Sequence, residues 1–221
     1  VSDHFLTYGQ VEKEIEYVYV QDVNVYAESD TGENEPIWVD SFTQPITSNG
    51  VDIFWIIDGS GSMMNDNGKV LQGISDMLAN LPPISWRLMI ISMTPTENIN
   101  STSFPLIPGD DEVDAVAMFS ANVNQGSEYG FSSLHDYIQE NQFAQNWLRD
   151  DAALLTVFVS DEDDQSTTYF HSVNSFANWL DSIRTNIFVS SIVHLPPDET
   201  DCITNDRNTG YRYIDLTSMY G

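Results

Sequence analysis

The residues best placed to do chemistry together are Asp58, Ser60 and Ser62, in the run Asp58-Gly59-Ser60-Gly61-Ser62. One acid and two hydroxyls at alternate positions, with glycines between them, can fold into a tight turn that aims three oxygens at one point. Glycine supplies the unusual backbone angles and the close approach that such a turn asks for. This donor set suits a hard divalent cation: Mg²⁺ first, Ca²⁺ or Mn²⁺ next, because these ions take oxygen ligands and keep part of their water. Two neutral hydroxyls with few direct carboxylates leave the ion electron-poor and ready to accept an acidic group from a partner. The plainer reading of the same run is a Ser/Gly-rich capped turn that enters a helix and holds no metal.

Positioning falls to the elements around that run. Val51–Ile57 (VDIFWII) is a near-continuous apolar stretch, as in a strand covered on both faces. A helix follows, with Val70, Ile74, Met77, Leu78 and Leu81 at helical spacing, ended by Pro82 and Pro83. Residues 86–93 read as a second strand and 94–110 as a long loop. Residues 112–123 and 131–148 read as helices, and 154–160 as the next buried strand. A helix then presents Val173, Phe176, Leu180 and Ile183 on one face. Ile187–Val193 is a further strand, and 211–216 (YRYIDL) reads as the last one, with the chain ending at Gly221 before a terminal helix. Strands alternating with helices imply right-handed crossovers and a doubly wound, mostly parallel α/β sheet. Ligands of such sheets bind beyond the carboxyl ends of the strands, so the loops after Ile57, Met93 and Ser160 carry the search.

Residues 1–49 have another texture. Residues 15–26 alternate polar and β-favouring side chains, 28–36 form an acidic loop, and 37–42 look extended again. They are expected to make an N-terminal β extension ahead of the α/β domain at 50–221.

The run DGSGS directly after VDIFWII resembles the D-x-S-x-S metal-ion-dependent adhesion motif of von Willebrand factor A and integrin I-type domains. The likeness covers about residues 51–221 and includes an acid after a later core strand, a place held here by Asp161 in LLTVFVSDEDD. The resemblance implies a Rossmann-like von Willebrand A fold in which Ser60 and Ser62 ligate the metal directly. Asp58 and Asp161 would then act largely through water or hydrogen bonds. It implies an adhesion module that binds a protein or glycan at an extracellular, cell or virion surface. The family's threonine ligand has no match: Glu128 falls nearest its place and Ser127 is one residue short. Coordination by Glu128 would add a negative charge and favour Ca²⁺ or Mn²⁺, whereas coordination by Ser127 would keep the usual mechanism. Both stay open on the sequence.

Composition narrows the partners. Seven Lys and Arg face 34 Asp and Glu, a formal net charge of −27, so phosphate backbones and anionic bilayers are repelled. No apolar run reaches transmembrane length. The single cysteine, Cys202, excludes an intrachain disulfide and a cysteine metal site. The start at Val1, without Met or a signal-peptide pattern, suggests a processed product or part of a longer chain. Glu162, Asp163 and Asp164 are candidates for a second cation site, with a solvated acidic loop as the plainer reading. The acidic stretches 109–114 and 198–206 lack calcium-loop spacing. His4, His135, His171 and His194 form no H-x-x-x-H pair, and the five Trp residues sit in apolar patterns. Serine-hydrolase elbow, phosphate-loop and aspartyl-nucleophile patterns are missing, so no enzyme is expected. The alternative is a decoration subunit of a virion, phage or surface layer, assembled through its N-terminal extension, in which the metal only stabilises.

Overall fold

The computed structural model describes residues 22–25, 40–43, 50–81, 85–123, 126–167, 169–197 and 209–220. The chain divides into two compact units, Val1–Thr47 and Ser48–Gly221. In the first, β1 (Asp22–Val25) pairs antiparallel with β2 (Asp40–Thr43), Asp22 opposite Thr43. The rest of the expected N-terminal ribbon and acidic loop lies outside the described residues.

The second unit is built on β3 (Val51–Ile57), β4 (Trp86–Ser92), β5 (Ala153–Ser160) and β6 (Ile187–Val193). All four run parallel, in the order β4-β3-β5-β6. β3 is the first of them in sequence and lies between β4 and β5, with Ile57 level with Ser92 on one side and Val159 on the other. The chain leaves β3 in one direction and returns on its other flank, which makes the carboxyl ends of β3 and β5 the topological switch point.

Both faces of β3 are covered, which is why it reads as a nearly continuous apolar run, while the edge strand β6 leaves Phe188 and Ile192 exposed. Trp55 points toward α1 (Asn67–Asn80), its indole nitrogen 3.3 Å from the Met77 sulfur. On that side α1 packs on α3 (Glu112–Asn122), whose Met118 sulfur meets the Ile90 amide. Phe54 points the other way, onto Tyr137 of α4 (Gly130–Glu140) and Trp147 of α5 (Ala144–Trp147). Phe158 of β5 shares that face and joins Phe131, Phe176 of α6 (Val173–Ile183) and Tyr213 in one aromatic cluster. Edge-on and offset ring pairs of this kind add about 0.5 to 1.5 kcal/mol each beyond the area they bury.

Three expectations change. Residues 211–216 are not a closing strand: Tyr211–Tyr220 form helix α7, so the described chain ends in a helix packed on β6 and α6. The alternation of Tyr211 and Tyr213 imitates a strand. The spacing of Tyr213, Leu216 and Tyr220 is helical, however: the first two are buried and Tyr220 bonds Ala177. Residues 131–148 are not one helix either. Asn141 interrupts them, its amide nitrogen donating to the carbonyls of Asn98 and Ser101, its oxygen accepting from Phe143 and Ala144. Within the expected loop, Pro95–Asn100 form a short helix, α2, with proline in its first turn.

The far end of the sheet is pinned by charge. Asp52, fully buried at the start of β3, accepts the Arg149 Nε at 2.9 Å and Nη2 at 2.7 Å. Arg149 Nη1 also donates to Ser85 Oγ.

Candidate metal centre

The loop leaving β3 is an extension of the sheet before it is anything else. The Asp58 amide still donates to the Val159 carbonyl at 2.9 Å, which holds the residue between the two strand ends. Its carboxylate is fully buried: one oxygen accepts from the Ser60 amide at 2.7 Å and the other from the Ser160 hydroxyl at 2.8 Å. Burial pushes the Asp58 carboxyl above its usual range; the bonds from Ser60 and Ser160 pull it down, and the Asp161 charge adds to the rise.

From Asp58 the loop turns outward. Ser60 Oγ lies 2.8 Å from Ser62 Oγ, and Ser62 Oγ donates to Asp161 Oδ1 at 3.1 Å. Both serines reach solvent, and Asp161 is half-buried. The structure thus brings Asp58, Ser60, Ser62 and Asp161 to one place, three from the loop after β3 and one from the loop after β5.

The loop before α4 closes over them. A Cβ at Gly126 would stand 2.8 Å from the Ser60 Cα, so only glycine allows the two loops to lie this close. Gly59 and Gly61, expected to carry the turn by their backbone freedom, do not need it: the positive φ angles among the described glycines are at Gly50 and Gly109. Two residues past Gly126, the Glu128 carbonyl accepts the Gln165 amide at 2.7 Å, and Glu128 Oε2 accepts the Gln165 side-chain amide at 2.7 Å. Burial raises the Glu128 carboxyl above its usual range, and the charges of Asp58, Glu162 and Asp161 raise it further. Ser127 is half-buried beside it.

The three acids proposed for a second cation do not converge. The Glu162 amide donates to Ser160 Oγ, and its charge acts on Glu128. Asp163 Oδ1 accepts the amides of Asp164 and Arg212, the latter at the start of α7. Asp164 is buried, bonds the Phe131 amide and Ser166, and pairs with Arg212 Nε at 3.1 Å. Among the described residues no three His, Cys, Asp or Glu side chains gather as a metal site of their own. The centre at DGSGS differs by drawing on hydroxyls.

Reading the sequence missed Ser160, Gly126 and Gln165. Ser160 stood one residue before Asp161 in the same SD dipeptide, a signal that a hydroxyl could face Asp58. For Gly126 and Gln165 no local pattern exists, because each matters only through a contact across the fold. His135 bonds Asp136 within the Tyr169, Phe170 and Trp179 cluster and reaches none of the centre's residues by any described contact. Asp111 and Asp114, in an acidic stretch without calcium-loop spacing, form a capping box on α3.

The donor chemistry fits a small hard cation. Octahedral ligands roughly 2.0 to 2.1 Å from Mg²⁺ stand about 2.9 Å apart along each edge. The Ser60–Ser62 and Ser62–Asp161 oxygen separations of 2.8 and 3.1 Å bracket that value.

The chain is similar to several solved structures. Proximal thread matrix protein 1 from the mussel byssus, with a zinc-occupied MIDAS motif, is 11% identical at a TM-score of 0.41, over 67% of this chain and 37% of that one. A von Willebrand factor type A structure from Catenulispora acidiphila is 13% identical at a TM-score of 0.37, over 91% of this chain and 46% of that one. The pilus adhesin SpaC from Lactobacillus rhamnosus GG is 16% identical at a TM-score of 0.36, over 65% of this chain and 18% of that one. This chain spans less than half the length of each of these structures. No family model and no curated protein matches the sequence.

Proposed function

We propose that this chain is a binding module, not an enzyme, that engages a protein or glycan through a divalent cation held at Asp58, Ser60, Ser62 and Asp161. The observation that carries the reading is the convergence of Ser60, Ser62 and Asp161 at a solvent-facing point of the sheet's switch, with Ser60–Ser62 and Ser62–Asp161 oxygen separations of 2.8 and 3.1 Å that are compatible with an octahedral edge of about 2.9 Å. Mg²⁺ suits that spacing, and Ca²⁺ or Mn²⁺ suits it if a carboxylate joins the set. The cation's part is to offer a positive, exchangeable position on a surface of otherwise acidic side chains. The protein's part is to hold the hydroxyls: Asp58 orients the turn through the Ser60 amide, and Asp161 orients Ser62. The Asp58 carboxylate bonds the Ser60 side chain and Asp161 that of Ser62, so both hydroxyls are held by acids at the solvent-facing end of the sheet. Together with the charge of −27, this favours display outside the cell, on a cell surface or on a particle.

A second reading, a decoration subunit joined through its N-terminus, draws support from the separate unit Val1–Thr47 with its β1–β2 pair. One experiment addresses both. Thermal unfolding is followed with Mg²⁺, Ca²⁺, Mn²⁺ or EDTA, for the wild type and for a Ser60→Ala, Ser62→Ala double variant. Saturable stabilisation by a cation, absent from the variant, is expected. A wild type indifferent to every cation would leave a scaffold without a working centre and put the assembly role first.

A further inference from the structure

The centre contains more negative charge than two serines and two acids require. Glu128 lies two residues past Gly126, which approaches Ser60 closely, and it is held in place at two points by Gln165, backbone to backbone and side chain to side chain. Gln165 belongs to the same loop as Asp161, so the carboxylate is anchored to the wall of the centre. Every charged group that acts on it is an acid: Asp58, Glu162 and Asp161. No described cation balances them. Lys69 pairs with Asp66 on the outside of α1. Arg149 and Arg87 bond groups at the opposite end of the sheet, Asp52 and the Trp147 carbonyl. Arg184 lies against Asp150, and Arg212 is paired with Asp164. A carboxylate held in place within reach of several like charges is stabilised by a cation between them.

We infer that the Glu128 carboxylate is the chain's own ligand to the cation and occupies the coordination position that a partner's carboxylate would otherwise take. The inference rests on the cation reading of DGSGS and says how that centre is regulated: in its resting form the ion is capped from within. An acidic partner group gains access only when Glu128 swings away, which requires the Gln165 bond to Oε2 to open. Ser127, the neutral alternative in the same loop, would leave the position free.

The test uses the full chain as wild type, Glu128→Gln and Glu128→Ala. The first variant keeps the side chain's shape and its partner on Gln165; the second removes it. Mn²⁺ affinity is measured by calorimetry, the number of waters on the bound ion by water-proton relaxation at saturating Mn²⁺, and the binding of a hexaglutamate peptide with Mn²⁺ and with EDTA. Both variants should bind Mn²⁺ about tenfold or more weakly, because affinity follows the charge count of the ligands. Each should carry one more water on the ion and bind the peptide in Mn²⁺ but not in EDTA, while the wild type does not bind it. Equal Mn²⁺ affinity and water number in all three proteins, or peptide binding as tight in the wild type as in the variants, overturns the inference and leaves the cation centre standing. A wild type that takes up no Mn²⁺ overturns both, and is told apart by that absence alone.

Discussion

Ser160 donates its hydroxyl to the buried carboxylate of Asp58 at 2.8 Å, across 102 residues of sequence. The same oxygen accepts the Glu162 amide at 3.1 Å, so a single hydroxyl ties the loop after β3 to the loop after β5. Ser160→Ala leaves a buried carboxylate oxygen without that partner. The expected loss is about 1 to 3 kcal/mol of unfolding free energy, read from urea denaturation, with weaker cation uptake by calorimetry. Unchanged stability and uptake would remove Ser160 from the account of the centre.

Gly126 tests the centre without altering a ligating side chain. A methyl group at this position would lie 2.8 Å from the Ser60 Cα and must push the two loops apart. Gly126→Ala is expected to lower cation affinity while the cooperative unfolding of the sheet stays near its wild-type midpoint. A cation titration that overlays the wild type would show that the loop spacing is not needed.

Arg212 joins the last helix to the core. It donates to Asp164, whose carboxylate is buried and raised in pKa first by that burial, and to the Phe170 carbonyl. Arg212→Ala strands a buried acid and should cost about 3 to 5 kcal/mol, measured by denaturant unfolding. A double change with Asp164→Asn should recover part of that loss, since no charge would then be left unpaired.

Alkaline stability depends on phenols in the core. Burial pushes Tyr137 up to about 12 from an ordinary value of 10.0, and Tyr213 also lies well above it, again through burial. The unfolded chain therefore gives up these protons first. The stability they contribute is whole below about pH 10 and drains away as pH rises through 12. Tyr137 alone accounts for about 2 to 3 kcal/mol of that fall. Urea unfolding across this range should show it, and Tyr137→Phe should make the slope shallower. An identical slope in the variant would assign the loss to other groups.

Much of this molecule is written in short stretches of chain. The apolar run at Val51–Ile57 announces a strand buried by helices, because a two-sided layer favours apolar side chains at nearly every position, whereas the run at Ile187–Val193 forms an edge strand that leaves Phe188 and Ile192 exposed. DGSGS announces a turn of oxygens, and its place after the first core strand sets it at the switch point once the sheet is parallel. Asp161 is singled out by the resemblance, as the acid that follows a later core strand. What the tertiary structure alone decided is everything that depends on contact between distant loops. The helix at Tyr211–Tyr220 has its first turn capped by Asp163 from another loop, 49 residues away, so local alternation pointed to a strand. Glu128 and Ser127 are neighbours that no spacing rule could rank; Gln165 and Gly126 fix which surface their loop presents. Ser160 looks like any strand-end serine until Asp58 is beside it. Secondary structure follows from periodicity that a few residues can express, while a centre of converging oxygens is set by distances between segments, and those exist only after the chain has folded.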